Sequence, residues 1–443
     1  MFRSIFTNSF GILFSRILGF IRDLLTASIL GANIYSDIFF VAFKLPNLFR
    51  RIFAEGAFVQ SFLPSFTRSK HKALFSIHIF LVFLLFLIVM SMSVNLFSQE
   101  ATRAIAVGFD AQSVEIAAPF VAICFWYLPL IFMVTFLSTF LHYKNHFATT
   151  AFGTGLLNIA LIIALLLAAK MDNESVVLYL SYGVVGGGIA QLLLHIFTIK
   201  VLNLHKLLLG GIKYYRAKKH KVVKESREFY KKFFPAVWGN STAQIAAFLD
   251  TWLASFLASG AISYLYYANR VFQLPLALFA IAVSIALFPR IARHIRHLDK
   301  DKAYHMMYRG FILLSIVLSV STAIGIIFAE QIVWLLFERG AFEAQDTLNT
   351  TLILQMYLIG LLPFGLSKLF LLWLYAHEQQ NMAAKIATLS LLCNIILSLA
   401  FIYPLGAAGL ALSSSISGFV TLVATLRAIG KDELRAMARG SSS

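Results

Sequence analysis

Charge is scarce in this sequence. Only 13% of its 443 residues are Asp, Glu, Lys or Arg, about half of the ~25% usual in a soluble domain, which excludes an ordinary water-soluble globule. Cysteine is nearly absent. Cys124 and Cys393 both fall in apolar runs, which excludes a disulfide framework and leaves them as small core residues. Acids are rarer than bases, 20 against 37, and no DxxD spacing occurs. An enzyme acting on polyprenyl-phosphate sugars would need a metal-binding acidic cluster or a general base in a loop, and the outer loops hold only scattered acids. Gly186-Gly187-Gly188 is not a phosphate loop, because no strand precedes it and no Lys-Ser/Thr follows. A cleavable signal peptide is not expected, since the apolar stretch from Phe6 to Gly31 is too long for one and carries charges.

Apolar residues fill the space that charge leaves: 59% of the chain is hydrophobic and the mean hydropathy is +0.81. At about 20 residues per crossing, the pattern predicts an all-α polytopic membrane protein with twelve spans. They run over 8–31, 36–62, 73–97, 116–142, 146–169, 176–202, 229–257, 261–289, 306–329, 347–375, 381–403 and 406–428. Lys and Arg collect in the loops after even-numbered spans, from Arg68-Lys70-Lys72 to Arg290-Arg293-Arg296. The positive-inside rule then places both termini in the cytoplasm. This bias, with attraction to anionic membrane lipids, accounts for most of the net charge of +17. No nucleic-acid binding is expected, because the basic patches come with no reading motif.

A repeat divides the chain. Ala27-Ser28 matches Ala254-Ser255; Gly31-Ala32, Tyr35, Phe43 and Leu45-Pro46 match Gly260-Ala261, Tyr264, Phe272 and Leu274-Pro275. Phe109-Asp110-Ala111-Gln112 matches Phe342-Glu343-Ala344-Gln345, and Asn158-Ile159 matches Asn394-Ile395. The offset drifts slowly from 227 to 236. Six crossings separate the copies, and an even number preserves orientation. The expected architecture is therefore two parallel six-helix bundles, 1–203 and 229–430, around a central cationic cavity, as in transporters built from parallel repeats. A basic cytoplasmic linker covers 204–228, and a tail covers 431–443, whose Gly440-Ser441-Ser442-Ser443 reads as a cloning scar.

Charges inside the spans are the functional signal, because each costs about 2.5–3.5 kcal/mol at the membrane centre on insertion scales. Arg16 and Asp23 share one face of the first span, seven residues apart, with Ser15 and Arg22 on an adjacent face. Asp37, Lys44 and Arg51 line up in the second span, where Pro46 and Asn47 are expected to interrupt the helix just before Arg50-Arg51. Asp250 and Arg270 recur early in the second half. Arginines outnumber the acids available to pair with them. The excess points to an anionic ligand, which the planar guanidinium binds through bidentate, charge-assisted hydrogen bonds. His195 is expected to be a hydrogen-bonded interior residue and Lys368 to face the cavity. The close-set glycines should permit tight helix packing, and the 43 Phe residues should mostly face lipid.

The run from Ser15 to Asp23, together with Ser36-Asp-Ile-Phe-Phe-Val-Ala-Phe-Lys-Leu-Pro-Asn-Leu-Phe-Arg-Arg-Ile-Phe-Ala-Glu-Gly-Ala-Phe58, closely resembles the MurJ (MviN) family. These are bacterial lipid II flippases of the multidrug/oligosaccharidyl-lipid/polysaccharide exporter superfamily. Tyr267-Ala-Asn-Arg270 and Phe337-Glu-Arg-Gly-Ala-Phe342 resemble two further family signatures. The resemblance implies a transporter, not an enzyme, in the inner membrane, with lipid II as its partner in peptidoglycan biosynthesis. It implies that Arg16, Arg22, Asp37, Arg50 and Arg270 lie in the cavity, and that Arg22, Arg50 and Arg270 bind the diphosphate. Asp23 would position an arginine, and Glu55 would order the Arg50-Arg51 turn. Asp250 and Asn394 match family positions associated with a sodium ion, although Ser398 stands where some relatives carry an acid. Many relatives have fourteen spans against the twelve counted here. The rival readings are another exporter of the same superfamily, for drugs or lipid-linked oligosaccharides, and a membrane enzyme; the intramembrane arginines argue against a carrier of organic cations.

Overall fold

The computed structural model describes residues 2–50, 57–297 and 299–439. Among them the chain is helix after helix, with no strand. The first half contains α1 (Phe2–Leu30), α2 (Ile34–Phe49), α3 (Val59–Arg68), α4 (Lys72–Leu96), α5 (Ser98–Ile105), α6 (Ala111–Phe125), α7 (Tyr127–Tyr143), α8 (Ala148–Ala168) and α9 (Asn173–Val201). After α10 (His205–Lys218) and a short 3-10 turn come α11 (Val223–Ala254), α12 (Ala261–Pro275), a π-helical stretch (Leu276–Ile281) and α13 (Ala282–Arg296). The chain ends with α14 (Lys300–Ile327), α15 (Ala329–Phe337), α16 (Ala344–Ile359), α17 (Leu361–Ala376), α18 (Gln380–Ile429) and α19 (Lys431–Arg439). Eight helical stretches among the described residues are long and apolar enough to cross a membrane.

One of those stretches, α18, accounts for two expected spans. Fifty residues of straight helix would extend about 75 Å, far more than the ~30 Å of a bilayer core. The chain turns back at Gly406, whose φ of 56° and ψ of −136° are not helical. Beyond the turn the two arms run side by side. A Cβ on Gly409 would meet the Phe401 backbone oxygen. Asn394 Nδ2 donates to Ser414 Oγ at 3.2 Å, and Ser390 Oγ to the Ser417 carbonyl at 3.0 Å.

The chain divides into two compact units, Met1–Phe248 and Leu249–Ser443, with the boundary inside α11. In unit 1, α1 packs on α8, α8 on α9, α2 on α6, α5 on α6, and α4 on α7. In unit 2, the corresponding elements pair in the same way: α12 on α16, α15 on α16, and α14 on α17. Turn chemistry repeats too. Gly31 and Gly260, matched in the repeat, both adopt left-handed φ, 69° and 91°, a conformation that favours glycine. In unit 1 that turn delivers Asn33, whose Oδ1 caps α2 by accepting from Tyr35 N at 2.9 Å and Ser36 N at 3.3 Å.

Two expectations need correction. Pro46 does not end its helix, since α2 continues through it to Phe49; a proline can be carried in a membrane helix when neighbours satisfy the freed carbonyl. Its counterpart Pro275 does close α12, and the following turns widen to π geometry. The phenylalanines are not mostly lipid-facing. Phe58, Phe62, Phe66, Phe75, Phe229 and Phe233 are all buried in unit 1, and Phe58 lies edge-on to Phe132 at 5.4 Å. Each such aromatic pair adds about 0.5–1.5 kcal/mol beyond area burial. The basic 204–228 segment is largely helical, and α10 lies on α4, with His78 Nδ1 and Tyr215 Oη 2.8 Å apart.

Candidate anion-binding site

Arg22 and Asp23 are neighbours on α1, and adjacent helical positions do not naturally face each other. Arg22 nevertheless folds back. Its Nε and Nη2 donate to the same Asp23 Oδ1, at 3.0 and 2.5 Å. Nη1 donates to Asn158 Oδ1 on α8 at 3.0 Å, and Asn158 Nδ2 donates to the Ser15 carbonyl, also at 3.0 Å. The Arg22 side chain is 12% exposed and that of Asp23 1%. A buried carboxylate in apolar surroundings costs several kcal/mol unless paired and hydrogen-bonded, so this cluster is coherent only with the guanidinium in place. Ser15 contributes its backbone oxygen to the cluster. Thr26 Oγ1 donates to the Arg22 carbonyl at 2.8 Å.

The other sequence-derived candidates fall in several places. Arg16 is exposed on α1 amid exposed Ile12, Leu13 and Ile17. Asp37 is buried in the first turn of α2, and Lys44 is half-buried further along it. Arg50 follows α2; its Nε and Nη2 donate to Asn47 Oδ1 at 3.1 and 3.0 Å. It borders a small apolar cavity with Phe58, Phe83 and Phe132. Arg51 and Glu55 lie outside the described residues.

In unit 2, Arg270 is half-buried on α12. One turn earlier, Tyr267 packs against both Phe337 and Phe342, with ring centroids 5.2 and 5.6 Å apart. The two signatures of this half, distant in sequence, are thus one structural joint. Asp250 is half-buried on α11, within electrostatic reach of Tyr357, which also neighbours the Asn269 side chain. Asn394 is buried, its Nδ2 turned to Ser414. One turn on, the Ser398 hydroxyl is buried with no hydrogen-bond partner among the described residues.

Sequence reasoning used Asn158 only as a marker of the repeat. Its signal was that of a lone amide in an apolar span. His195 is buried as expected, with Nδ1 and the Gln191 carbonyl 2.7 Å apart. His142 and His146, four residues apart at the end of α7, are taken up in local contacts: His142 stacks on Phe147, and His146 bonds with Thr149 at 2.8 Å. No group of three or more His, Cys, Asp or Glu side chains able to hold a metal ion occurs among the described residues.

The family model for lipid II flippase MurJ matches residues 26–440. The chain belongs to the MurJ family. It is 49% identical over 412 residues to a probable lipid II flippase MurJ of Helicobacter pylori strain J99, covering 91% of this chain and 90% of that protein. A Haemophilus influenzae relative with the same description is 32% identical, with 97% and 86% covered. Among solved structures, a lipid II flippase MurJ in an inward closed conformation superposes with a TM-score of 0.82 at 26% identity, covering 98% of this chain and 90% of that one. An inward-facing multidrug resistance MATE transporter of the MOP superfamily gives 0.69 at 13% identity, over 96% and 95% of the two chains. This last likeness concerns the fold alone.

Proposed function

We propose that this MurJ-family protein is a lipid II flippase. It carries the undecaprenyl-diphosphate-linked peptidoglycan precursor from the cytoplasmic to the periplasmic leaflet of the bacterial inner membrane, with both termini in the cytoplasm. The observation that carries this reading is the Arg22 guanidinium, held inside an apolar helical unit by Asp23 and Asn158. Such a fixed cation is built to receive an anion, and a diphosphate offers the multiple oxygens that guanidinium groups bind best. Arg50 and Arg270 complete the proposed diphosphate set, with Arg16, Asp37 and Lys44 lining the route. The sugar-peptide headgroup travels through the polar interior while the polyprenyl tail stays in lipid. The proposed cycle is alternating access.

Arg22→Ala, Arg50→Ala and Arg270→Ala should each fail to replace a depleted flippase, and the matching Lys variants should be poor because a point charge does not reproduce a bidentate contact. The measurement is growth together with lipid II accessibility on the outer face. Full growth of all three alanine variants at normal expression would overturn the diphosphate assignment.

For energy, we propose that membrane potential acting on the charged site dominates, at about 2.3 kcal/mol per elementary charge per 100 mV. Asp250 and Asn394, with the Ser398 hydroxyl nearby in sequence, would hold a sodium ion only weakly through one carboxylate. Flipping in vesicles should then persist when sodium is replaced at fixed potential. Strict sodium dependence that disappears in Asp250→Asn would reverse this assignment.

A further inference from the structure

We propose that Asn158 is a positioning residue for Arg22, setting the plane in which its guanidinium meets the diphosphate. This rests on the reading of Arg22 as a diphosphate contact. Asp23 anchors Nε and Nη2 through one oxygen, a hinge-like arrangement about a single acceptor. Asn158 Oδ1 takes the third nitrogen, Nη1. Two acceptors on two different helices define a plane.

The amide is itself oriented. Its Nδ2 donates to the Ser15 carbonyl, and a flipped amide would set oxygen against carbonyl and NH2 against guanidinium. The helices can present these groups because glycines bring α1 and α8 together. A Cβ on Gly11 would meet Ala151 Cβ at 2.8 Å, and one on Gly155 would touch Leu18 and Phe14 at 3.4 and 3.5 Å.

The second unit supplies an internal control. Asn394 holds the repeat position of Asn158, and Asp250 that of Asp23, but Leu249 stands where Arg22 does. The unit 2 asparagine likewise donates through its nitrogen, here to the Ser414 hydroxyl. The aspartate and asparagine are common to both copies, and the guanidinium is what unit 1 has added to them.

The test uses the full chain in lipid nanodiscs or vesicles, with lipid II itself as the probe. The half-saturating lipid II concentration is measured for Arg22→Ala, Asn158→Leu, the double variant and Asn158→Asp. Arg22→Ala and Asn158→Leu should each raise it, the latter about tenfold, as is usual for partners that orient a liganding group. The double variant should be no worse than Arg22→Ala, because Asn158 acts through Arg22. Asn158→Asp keeps an acceptor for Nη1 but loses the donor to the Ser15 carbonyl, so its value should fall between those of the natural chain and Asn158→Leu. If Asn158→Leu fails to reach the membrane, Asn158→Ala gives the same readout. An unchanged value in the Asn158 variant beside a raised one in Arg22→Ala defeats this proposal and leaves the diphosphate reading standing. So do additive effects, or an Asp variant as poor as the Leu variant, which would assign Asn158 to helix docking. An unchanged value in Arg22→Ala defeats both.

Discussion

Asp23 and Asp250 occupy corresponding places in two copies of one helical unit, yet their surroundings have diverged. Asp23 is 1% exposed and takes two hydrogen bonds from the arginine beside it. Asp250 is half-buried, follows a leucine, and lies within electrostatic reach of Tyr357. The asparagines that match across the repeat both donate through Nδ2, to the Ser15 carbonyl and the Ser414 hydroxyl, and Asn158 also accepts from the guanidinium. A duplicated aspartate–asparagine pair thus has two different settings: in unit 1 both side chains bind a guanidinium, and in unit 2 a leucine stands in the arginine's place.

The comparison breaks most visibly on removal of the paired charge. Arg22→Ala strands the Asp23 carboxylate, and leaving one buried charge uncompensated costs about 3–5 kcal/mol. Asp250→Ala removes a half-buried acid and should cost markedly less. The double variant Arg22→Ala/Asp23→Ala should recover most of the stability lost by Arg22→Ala, because no stranded charge remains, while flipping stays lost. Thermal denaturation in detergent gives the first quantity and outer-face lipid II accessibility the second. Equal losses for Arg22→Ala and Asp250→Ala would show that the two sites have not diverged as described.

Much of this was legible in the chain before any coordinates. The cost of a charge in lipid singled out Arg22, Asp23, Arg50 and Arg270, and the drifting repeat anticipated that α2 and α6 would be echoed by α12 and α16. Hydropathy says which residues lie in the membrane; it does not say which face one another. Asn158 therefore passed as a marker, although it touches α1 at two points. The aromatic core around Phe58 and Phe62 was misjudged for the same reason, since phenylalanine suits lipid and protein interior alike. Pro46 misled because helix-breaking rules derive from water, where a freed carbonyl finds solvent, whereas in lipid a continued helix leaves fewer groups unsatisfied. The residues around Glu55 lie outside the described part of the chain, so the Arg50-Arg51 turn stands on the sequence alone.

Glycines sharpen the comparison at the level of packing. A Cβ on Gly187 would sit 2.9 Å from the Leu157 Cα, and one on Gly360 would sit 2.8 Å from the Ser415 Cα, backbone in both cases. Backbone cannot step aside as a flexible side chain can. Gly187→Ala and Gly360→Ala should therefore each destabilise by about 1–3 kcal/mol, the usual range for overpacking. Gly186 lies beside Gly187, and a Cβ there would meet nothing within 4 Å. Gly186→Ala should gain about 0.5–1 kcal/mol, since alanine restricts the unfolded helix backbone. The midpoint of thermal unfolding should rank Gly186→Ala above the natural chain and the other two below it. A neutral Gly360→Ala would mean that unit 2 packs more loosely than unit 1.

The smallest effect concerns the matched helix caps. Asp110 caps α6, its Oδ1 accepting from Ser113 N at 2.8 Å, and hydrogen bonds from the Ser113 side chain and then its backbone hold the carboxyl below its ordinary value of 3.8. Its counterpart Glu343 is one methylene longer and shares a capping box with Asp346, whose Oδ2 accepts from Glu343 N at 3.0 Å and whose Oδ1 accepts from Tyr264 Oη at 2.8 Å. A depressed carboxyl stabilises the folded cap above its unfolded pKa, and that contribution is lost as pH falls through the folded pKa. Amide exchange at Ser113 should therefore accelerate only below the ordinary carboxylate range, beyond the intrinsic pH dependence of exchange. Asp110→Asn, which keeps an uncharged acceptor, should flatten that excess, and Asp110→Ala should raise exchange at every pH. In unit 2, Glu343→Ala should fray the first turn of α16 less than Asp346→Ala does, because Asp346 also holds the Tyr264 hydroxyl. If Glu343→Ala frays α16 as much as Asp110→Ala frays α6, the two caps work alike and the contrast between the units does not extend to their helix ends.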